Sequence, residues 1–478
     1  MIRNCSKTGL PPAVFGYGNL QWVSAVSGGL PLLYKMRVFK MENRITAEEY
    51  RAFTAATKER RIEWFRDARF GMFIHYGLFS SHGLGEWAQV WENIKISDYE
   101  RFAENFCPKE GCTDEWCKLA KESGAKYAVL TTRHHEGFSL WDSKVNPFNS
   151  VNYGPHRDIV KEFTDSCRKY GLKIGLYSSL MDWRHPDAWK CMTDEAARAR
   201  FTKYIEDMNT ELLTNYGKID ILWYDMPWPK MSSRDWDSVG RNYRLRQLQP
   251  DILINNRSRM AEDFFTPEDA LNPEDNADWE ACMTFNGLSW GYIDEEQVKP
   301  YSYTANEIVR MIRKCAAYGG NLLLNIGPKG DGSVPSEAIE PLKRVGRWLA
   351  ENGEAAYGKK MKLPGWTCGA NNVSHCTASE DGRIVYVWNY IWPSSGKMAY
   401  GGYLNAPHKI TLLSTGEEID FEKDGHRLIL KDLPKENPDK TMGIPVVKME
   451  FDEPFRYCYG SYYPQVHDGV DKSEGIGN

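Results

Sequence analysis

Short apolar runs that stop on a polar residue recur through the first two thirds of the chain. Phe70-Gly71-Met72-Phe73-Ile74 runs into His75, and Lys126 to Thr132 runs into Arg133-His134-His135. Lys173 to Tyr177 leads into Ser178, Ile219 to Tyr224 into Asp225, and Asp251 to Ile254 into Asn255-Asn256-Arg257. A late run, Asn321 to Ile326, ends on Gly327-Pro328. Runs of about four to eight apolar residues without alternation mark strands buried on both faces. Between them lie stretches with helical spacing, over residues 43–66, 98–104, 115–122, 157–170, 196–216, 308–318 and 341–352. In the fourth of these, Ile159, Val160 and Phe163 share a face and Gly171 stands where a helix C-terminus needs a left-handed residue.

Strand alternating with helix predicts a parallel sheet covered by helices. The stretch from about residue 60 to 355 has room for a (β/α)8, TIM-like barrel, for which about 250 residues is typical. A doubly wound sheet is the competing α/β architecture. It usually carries a Gly-rich phosphate turn, and no GxGxxG or Walker motif follows an early strand. From residue 356 the texture changes to short alternating runs, Ile384 to Trp388, Lys409 to Leu413 and Arg427 to Leu430, which predict a small C-terminal antiparallel β-sandwich. The expected organisation is an N-terminal extension over 1–42, a barrel over 43–355, a sandwich over 356–467 and a disordered tail over 468–478. The first forty residues hold Arg3, Lys7 and several glycines and prolines but no sustained apolar run, so they do not read as a secretory signal. They read as an ordered extension or, preferably, as a sequence upstream of a natural start near Met36 or Met41.

Composition narrows the function. A net charge of −5 over 478 residues provides no broad positive field, which argues against a nucleic-acid partner. No run of about eighteen apolar residues predicts a membrane span. The 11 cysteines are scattered without a CxxC pair, as expected of thiols in a reducing compartment, and a cytoplasmic location is favoured with secretion by another route left open. Aromatic residues make up 13% of the chain, and aromatic faces stack on sugar rings, although large cores also use them.

In a barrel the chemistry sits at the C-terminal ends of the strands. His75, His134, His135, Tyr177, Asp225 and Arg257 stand there on five separate strands, a set that helix capping explains poorly. Asp225 is the sharpest member, a carboxylate ending a buried run between Trp223 and Trp228 and followed by Pro227, which cannot pair in a ladder. Glycoside cleavage needs two carboxyl groups, one to attack or to activate water and one to protonate the leaving oxygen. Asp225 is the candidate nucleophile. Glu268 is the first candidate for the acid, Glu280 the second and Asp269 the third, and an acid near an ionised Asp225 would have its pKa raised. A metal-dependent hydrolase is the runner-up. Against it, neighbouring side chains of an extended segment point to opposite sides, so His134 and His135 should not share one metal. A non-catalytic sugar-binding protein is the third reading.

Several blocks resemble the α-L-fucosidases of glycoside hydrolase family 29. They are Phe73-Ile74-His75-Tyr76-Gly77, Lys126 through Thr132 to Arg133-His134-His135-Glu136-Gly137-Phe138, Trp223-Tyr224-Asp225, Trp279 to Thr284, Ser289-Trp290-Gly291-Tyr292, Asn321 to Pro328 and Trp348 to Glu354. They span about residues 60 to 360 in the family's order. The resemblance implies an imperfect (β/α)8 barrel with a C-terminal β-sandwich, no cofactor and no metal. It implies retention of configuration through a covalent fucosyl-aspartate on Asp225, with a fucosylated oligosaccharide or glycoconjugate as substrate. His75, Glu86, Trp87, His134, His135, Tyr177, Trp223 and Arg257 match fucose-binding positions, and Phe73 and Trp290 match the wall that takes the sugar methyl. The family more often has Trp at position 76 and Gly at position 226, where this chain has Tyr76 and Met226. The block from Trp279 to Tyr292 resembles the branch of broader substrate range. Oligomeric state is left open.

Overall fold

The computed structural model describes residues 45–225, 231–271, 277–363 and 374–457. The expected N-terminal extension, the Met226-Pro227 stop with Trp228, and the C-terminal tail lie outside them. Seven strands form one parallel sheet: β1 (Phe70–Ile74), β2 (Tyr127–Arg133), β3 (Lys173–Ser179), β4 (Ile221–Asp225), β5 (Leu253–Ile254), β6 (Glu280–Met283) and β7 (Asn321–Ile326). Their order is β5-β4-β3-β2-β1-β7-β6, every neighbouring pair parallel. The helices are α1 (Ala47–Ala68), α2 (Ala88–Trp91), α3 (Ile96–Glu104), α4 (Cys112–Glu122), α5 (Ile159–Tyr170), α6 (Glu195–Asn215), α7 (Ser238–Leu248), α8 (Glu295–Val298), α9 (Ala305–Ala317) and α10 (Ser336–Asn352). Gly171 caps α5 at φ 67°, as its position predicts.

The expected eight-stranded barrel is not what the described residues form. Seven strands are regular, and β5 and β6 are not direct neighbours. Residues 263–269 run between them with isolated parallel bridges, Asn255 to Phe264 on one side and Phe265 to Trp279 and Glu268 to Cys282 on the other. Pro267 has no amide hydrogen, which denies this segment a regular ladder. Side chains anchor it instead. Asp263 accepts hydrogen bonds from Arg61 Nη2 at 2.5 Å, Arg246 Nη2 at 2.7 Å and the Ile254 amide at 2.9 Å, all buried. The strand β6 was not foreseen, because Glu280 to Met283 is short and opens on a charge.

Within the continuous apolar runs a period of two decides what faces inward. Phe73, Val129, Tyr177, Ile221, Trp223, Leu253, Cys282 and Leu323 pack inside the curl of the sheet. Their neighbours Met72, Ile74, Ala128, Leu130, Leu176, Leu222, Leu322 and Leu324 pack outward beneath the helices. Continuing the inward series by two residues leads from Phe73 to His75, from Trp223 to Asp225 and from Leu323 to Asn325.

Residues 374–457 form two antiparallel sheets. One orders β11 (Lys409–Leu412), β14 (Val446–Glu450), β9 (Ile384–Asn389) and β8 (Ser374–Ala378), and the other β10 (Met398–Gly401), β13 (Arg427–Leu430) and β12 (Phe421–Asp424). Val385, Val387, Tyr400, Leu428, Leu430 and Met449 fill a core of their own. The alternate positions Tyr386, Trp388 and Val446 join the core of the parallel-sheet region. There Trp388 packs on Trp348 of α10 at 4.9 Å, and Trp348 Nε1 donates to the Ile444 carbonyl at 3.0 Å. No described helix is long and apolar enough to cross a membrane.

Candidate active site

A cavity of about 300 Å³ opens at the C-terminal ends of the strands. It is lined by Phe73, His75, Glu86, Trp87, His134, His135, Tyr177, Trp223, Asp225, Arg257, Glu268, Cys282, Leu288 and Trp290. Of the residues singled out from the sequence, only Glu280 and Asp269 are missing from this lining.

Asp225 ends β4, with Arg257 Nη1 at 2.6 Å from Oδ1 and the Tyr177 hydroxyl donating to Oδ2 at 2.8 Å. His135 Nε2 lies 3.8 Å from Oδ2. Burial alone would raise the carboxyl pKa, but the Arg257 charge and the hydrogen bonds from Tyr177 and Arg257 outweigh it and hold Asp225 well below the usual carboxylate range. Tyr177 is pushed the other way, by burial and by the Asp225 charge, and stays a protonated donor.

Two histidines are fixed as neutral acceptors. His75 Nδ1 meets Asn325 Oδ1 at 2.7 Å, while Asn325 Nδ2 donates to the Trp290 carbonyl at 2.7 Å. The amide is thereby oriented, Nδ1 carries the hydrogen, and Nε2 is left with its lone pair. Burial, then His134, lowers the His75 pKa to about 3. His135 Nδ1 meets Ser179 Oγ at 2.7 Å, and that hydroxyl donates to the Met181 carbonyl at 2.7 Å, so Nδ1 again carries the hydrogen. Burial and the neighbouring His134 drive His135 well below its ordinary pKa.

His134 and His135 both line the cavity, with ring centroids 3.9 Å apart. The expectation that adjacent histidines must point apart fails here. The register against β3 shifts between Thr131 and Arg133, β2 ends at Arg133, and the chain turns with the Gly137 amide donating to the His134 carbonyl at 3.1 Å. Period-two alternation holds only while the backbone stays extended. Among the described residues no cluster of three or more His, Cys, Asp or Glu side chains has the arrangement that holds a metal ion.

Glu86 arrives from the Gly-rich loop after β1. Its Oε2 accepts from Ser289 Oγ at 2.9 Å, the Trp290 amide at 3.1 Å and the Gly291 amide at 2.7 Å. Burial opposes its charge, yet the His134 ring and these donors bring its pKa below the ordinary value. One oxygen is committed to the protein, which leaves Oε1 for a ligand. The apolar wall is Phe73 against Trp223 at 4.9 Å and Trp290 at 5.8 Å, with the Arg257 guanidinium 4.7 Å above the Trp223 ring.

The carboxylates proposed as acids separate by position. Glu268 lines the cavity, is 45% exposed and pairs with Arg257 Nη2 at 2.6 Å, so one guanidinium holds Asp225 and Glu268 together. Asp269, at φ 47°, turns away and accepts from the Thr284 amide at 3.2 Å and hydroxyl at 3.3 Å. Glu280 opens β6, at the end of the sheet opposite the cavity mouth, and is fully buried. It accepts from Trp223 Nε1 at 3.0 Å and from the Tyr127 hydroxyl, and burial raises its pKa to about 7. Asn325, Ser289 and Ser179, which orient the ligand-facing groups, were not singled out from the sequence. Asn325 had the same signal as Asp225, a polar residue two places beyond an inward apolar one.

A family model described as alpha-L-fucosidase matches residues 37–354. The tissue alpha-L-fucosidase of Mus musculus is 31% identical over 414 residues, 78% of this chain and 88% of that protein. Alpha-L-fucosidase isoenzyme 1 from Paenibacillus thiaminolyticus superposes with a TM-score of 0.74 at 31% identity, covering 83% of this chain and 100% of that one. A GH29 alpha-L-fucosidase of Bacteroides thetaiotaomicron, described as a trapped covalent intermediate in complex with 2-fluoro-fucosyl fluoride, has a TM-score of 0.73 at 27% identity, covering 83% of this chain and 96% of that one.

Proposed function

The chain belongs to the alpha-L-fucosidase family, glycoside hydrolase family 29, and from that membership we propose that it is a retaining exo-α-L-fucosidase working through a covalent fucosyl-aspartate on Asp225. Terminal fucose enters the cavity with its methyl against Phe73 and Trp290. Its hydroxyls donate to the lone pairs of His75 Nε2 and His135 Nε2 and to Glu86 Oε1, groups that neutral tautomers and a committed carboxylate leave available. His134, Trp87 and Trp223 complete the enclosure.

In the first step an Asp225 oxygen forms a bond to C1 while the C1–oxygen bond to the leaving group breaks, and Glu268 gives that oxygen its proton. In the second, Glu268 takes a proton from water, the water oxygen bonds to C1 and the aspartyl ester breaks, releasing fucose with its original configuration. Arg257 holds both carboxylates in the free protein, so Glu268 exchanges that ion pair for the glycosidic oxygen before it acts. Glu268 is preferred over Glu280 because a proton donor must reach the leaving oxygen, and Glu280 lies under Trp223. A catalytic unit over 43–355 and a sandwich over 356–467 belong to the same reading.

The observation that carries the proposal is Asp225 itself, kept ionised at the end of β4 inside a sugar-sized cavity. Incubation with a 2-fluorofucosyl reagent and peptide mapping tests it. The label is expected on the peptide holding Asp225, and NMR is expected to detect α-fucose first. Label on another peptide, or the β-anomer first, overturns it.

A further inference from the structure

Beyond the fucose cavity, the loop that supplies Glu86 and Trp87 carries a run of exposed apolar side chains. Trp91 is 75% exposed, Leu84 57% and Val90 43%, and from the facing loop Leu288 is 57% exposed while also lining the cavity. Single exposed apolar residues are ordinary, but large ones grouped at a binding-site mouth indicate a contact surface. Trp91 sits one helical turn from Trp87 on α2 and stacks on it, with centroids 5.9 Å apart and planes at 29°. Trp87 in turn packs against His135 at 5.4 Å. The rings therefore form a continuous file from the sugar-contacting histidine out to solvent.

The platform is rigidly mounted. Leu84 bridges to Ile293, the Gly85 amide donates to the Tyr292 carbonyl at 3.0 Å, and Glu86 accepts from Ser289, Trp290 and Gly291. The two loops bearing Trp91 and Leu288 are thus one unit, tied together by a carboxylate that also faces the fucose cavity.

We propose that Trp91, with Leu288 opposite, is the subsite for the sugar residue to which fucose is attached. Its occupant is a pyranose whose C–H face lies on the outer face of the indole, since the inner face is covered by Trp87. This rests on the fucosidase reading. The surface adjoins the fucose cavity through Leu288, which lines it together with Glu268, the residue assigned to protonate the leaving oxygen, and its chemistry suits the apolar face of a sugar ring rather than a charged or extended partner.

The test compares α-L-fucosyl fluoride, whose leaving group is a single atom, with fucosyl disaccharides of 1,2-, 1,3-, 1,4- and 1,6-linkage. Trp91→Ala is expected to lower kcat/KM for at least one disaccharide about five- to tenfold, while fucosyl fluoride changes less than twofold. Trp91→Phe is expected to recover most of the loss, with an unchanged melting temperature for both variants. An equal fall on all substrates overturns the inference, because Trp91 would then act only by supporting Trp87. No fall on any disaccharide also overturns it, as does a changed oligomeric state with an unchanged substrate ratio, which would make the patch a protein contact. Wild-type protein inert on every substrate would sink the fucosidase reading instead.

Discussion

Asp225 and Glu280 are two carboxylates on inward-facing positions of the same sheet, Asp225 half-buried at the cavity and Glu280 fully buried, and their pKa values are driven in opposite directions. Asp225 ends a strand at the cavity mouth, whereas Glu280 begins one at the opposite end. Desolvation is the leading influence on each and raises both. The partners decide the outcome. Asp225 has a guanidinium at 2.6 Å and a tyrosine donor, and is held ionised. Glu280 has only neutral donors, the Trp223 indole and the Tyr127 hydroxyl, and titrates at about 7. Burial alone makes a carboxylate a poor nucleophile, and burial beside a fixed cation keeps it ready to attack. Position along the strand separates the two as well, since strand C-termini carry chemistry in barrels and strand N-termini carry stability.

The largest effect should come from removing the member at the mouth. Asp225→Ala is expected to lower kcat on every fucoside by on the order of 10⁴-fold or more, with circular dichroism unchanged. A variant with near-normal turnover would show that the nucleophile lies elsewhere. Glu268→Ala should fall about 10²- to 10⁴-fold on natural glycosides yet be largely spared on activated aryl fucosides, whose leaving groups need little protonation. If Glu280→Ala gives that substrate pattern instead, the contrast between mouth and floor is wrong.

Arg257→Met tests the partner argument directly. Without the guanidinium, burial dominates at Asp225 and its pKa rises. The acid limb of the kcat/KM profile should therefore move to higher pH, with activity at neutral pH down about a hundredfold from lost positioning. An acid limb that stays in place would show that the cation does not hold the charge.

At the floor of the sheet, Glu280→Gln should change stability with pH and leave the substrate pattern alone. The folded chain binds a proton at Glu280 up to about pH 7, whereas the unfolded chain releases it near the ordinary glutamate value of 4.5. Wild-type stability attributable to this group is therefore greatest below the unfolded value and declines as pH rises through 7. The glutamine variant lacks that decline, so its stability relative to wild type should improve from pH 5 to pH 8 by on the order of 3 kcal/mol. Denaturant melts at the two pH values measure it, and a pH-independent difference would refute the assignment.

Regular strands made much of this site legible. His75, Tyr177 and Asp225 stand at or near the ends of apolar runs, and a two-residue period carries each from a packed position into the cavity. Glu268 and Glu280 could not be told apart in this way. One lies on an irregular segment shaped by Pro267 and held by Asp263 against Arg61 and Arg246, and the other on a strand too short to recognise. The paired histidines escape the pattern for a related reason, because they follow the end of β2 and side-chain alternation holds only in extended backbone.

Local patterning along the chain was enough for the alternation of buried strands and covering helices, the polar set at their ends, the family blocks and the change to antiparallel texture near residue 356. These are local properties, set by side-chain periodicity and by which residues can begin, end or interrupt an element. Tertiary structure alone decided that β5 and β6 are joined through an irregular segment rather than an eighth regular strand. It also decided that Arg257 reaches both Asp225 and Glu268, that Glu280 lies under Trp223, and that Asn325 and Ser179 set the histidine tautomers. Each of those is a contact between residues distant in the chain, and its energy depends on burial and distance that no local pattern encodes.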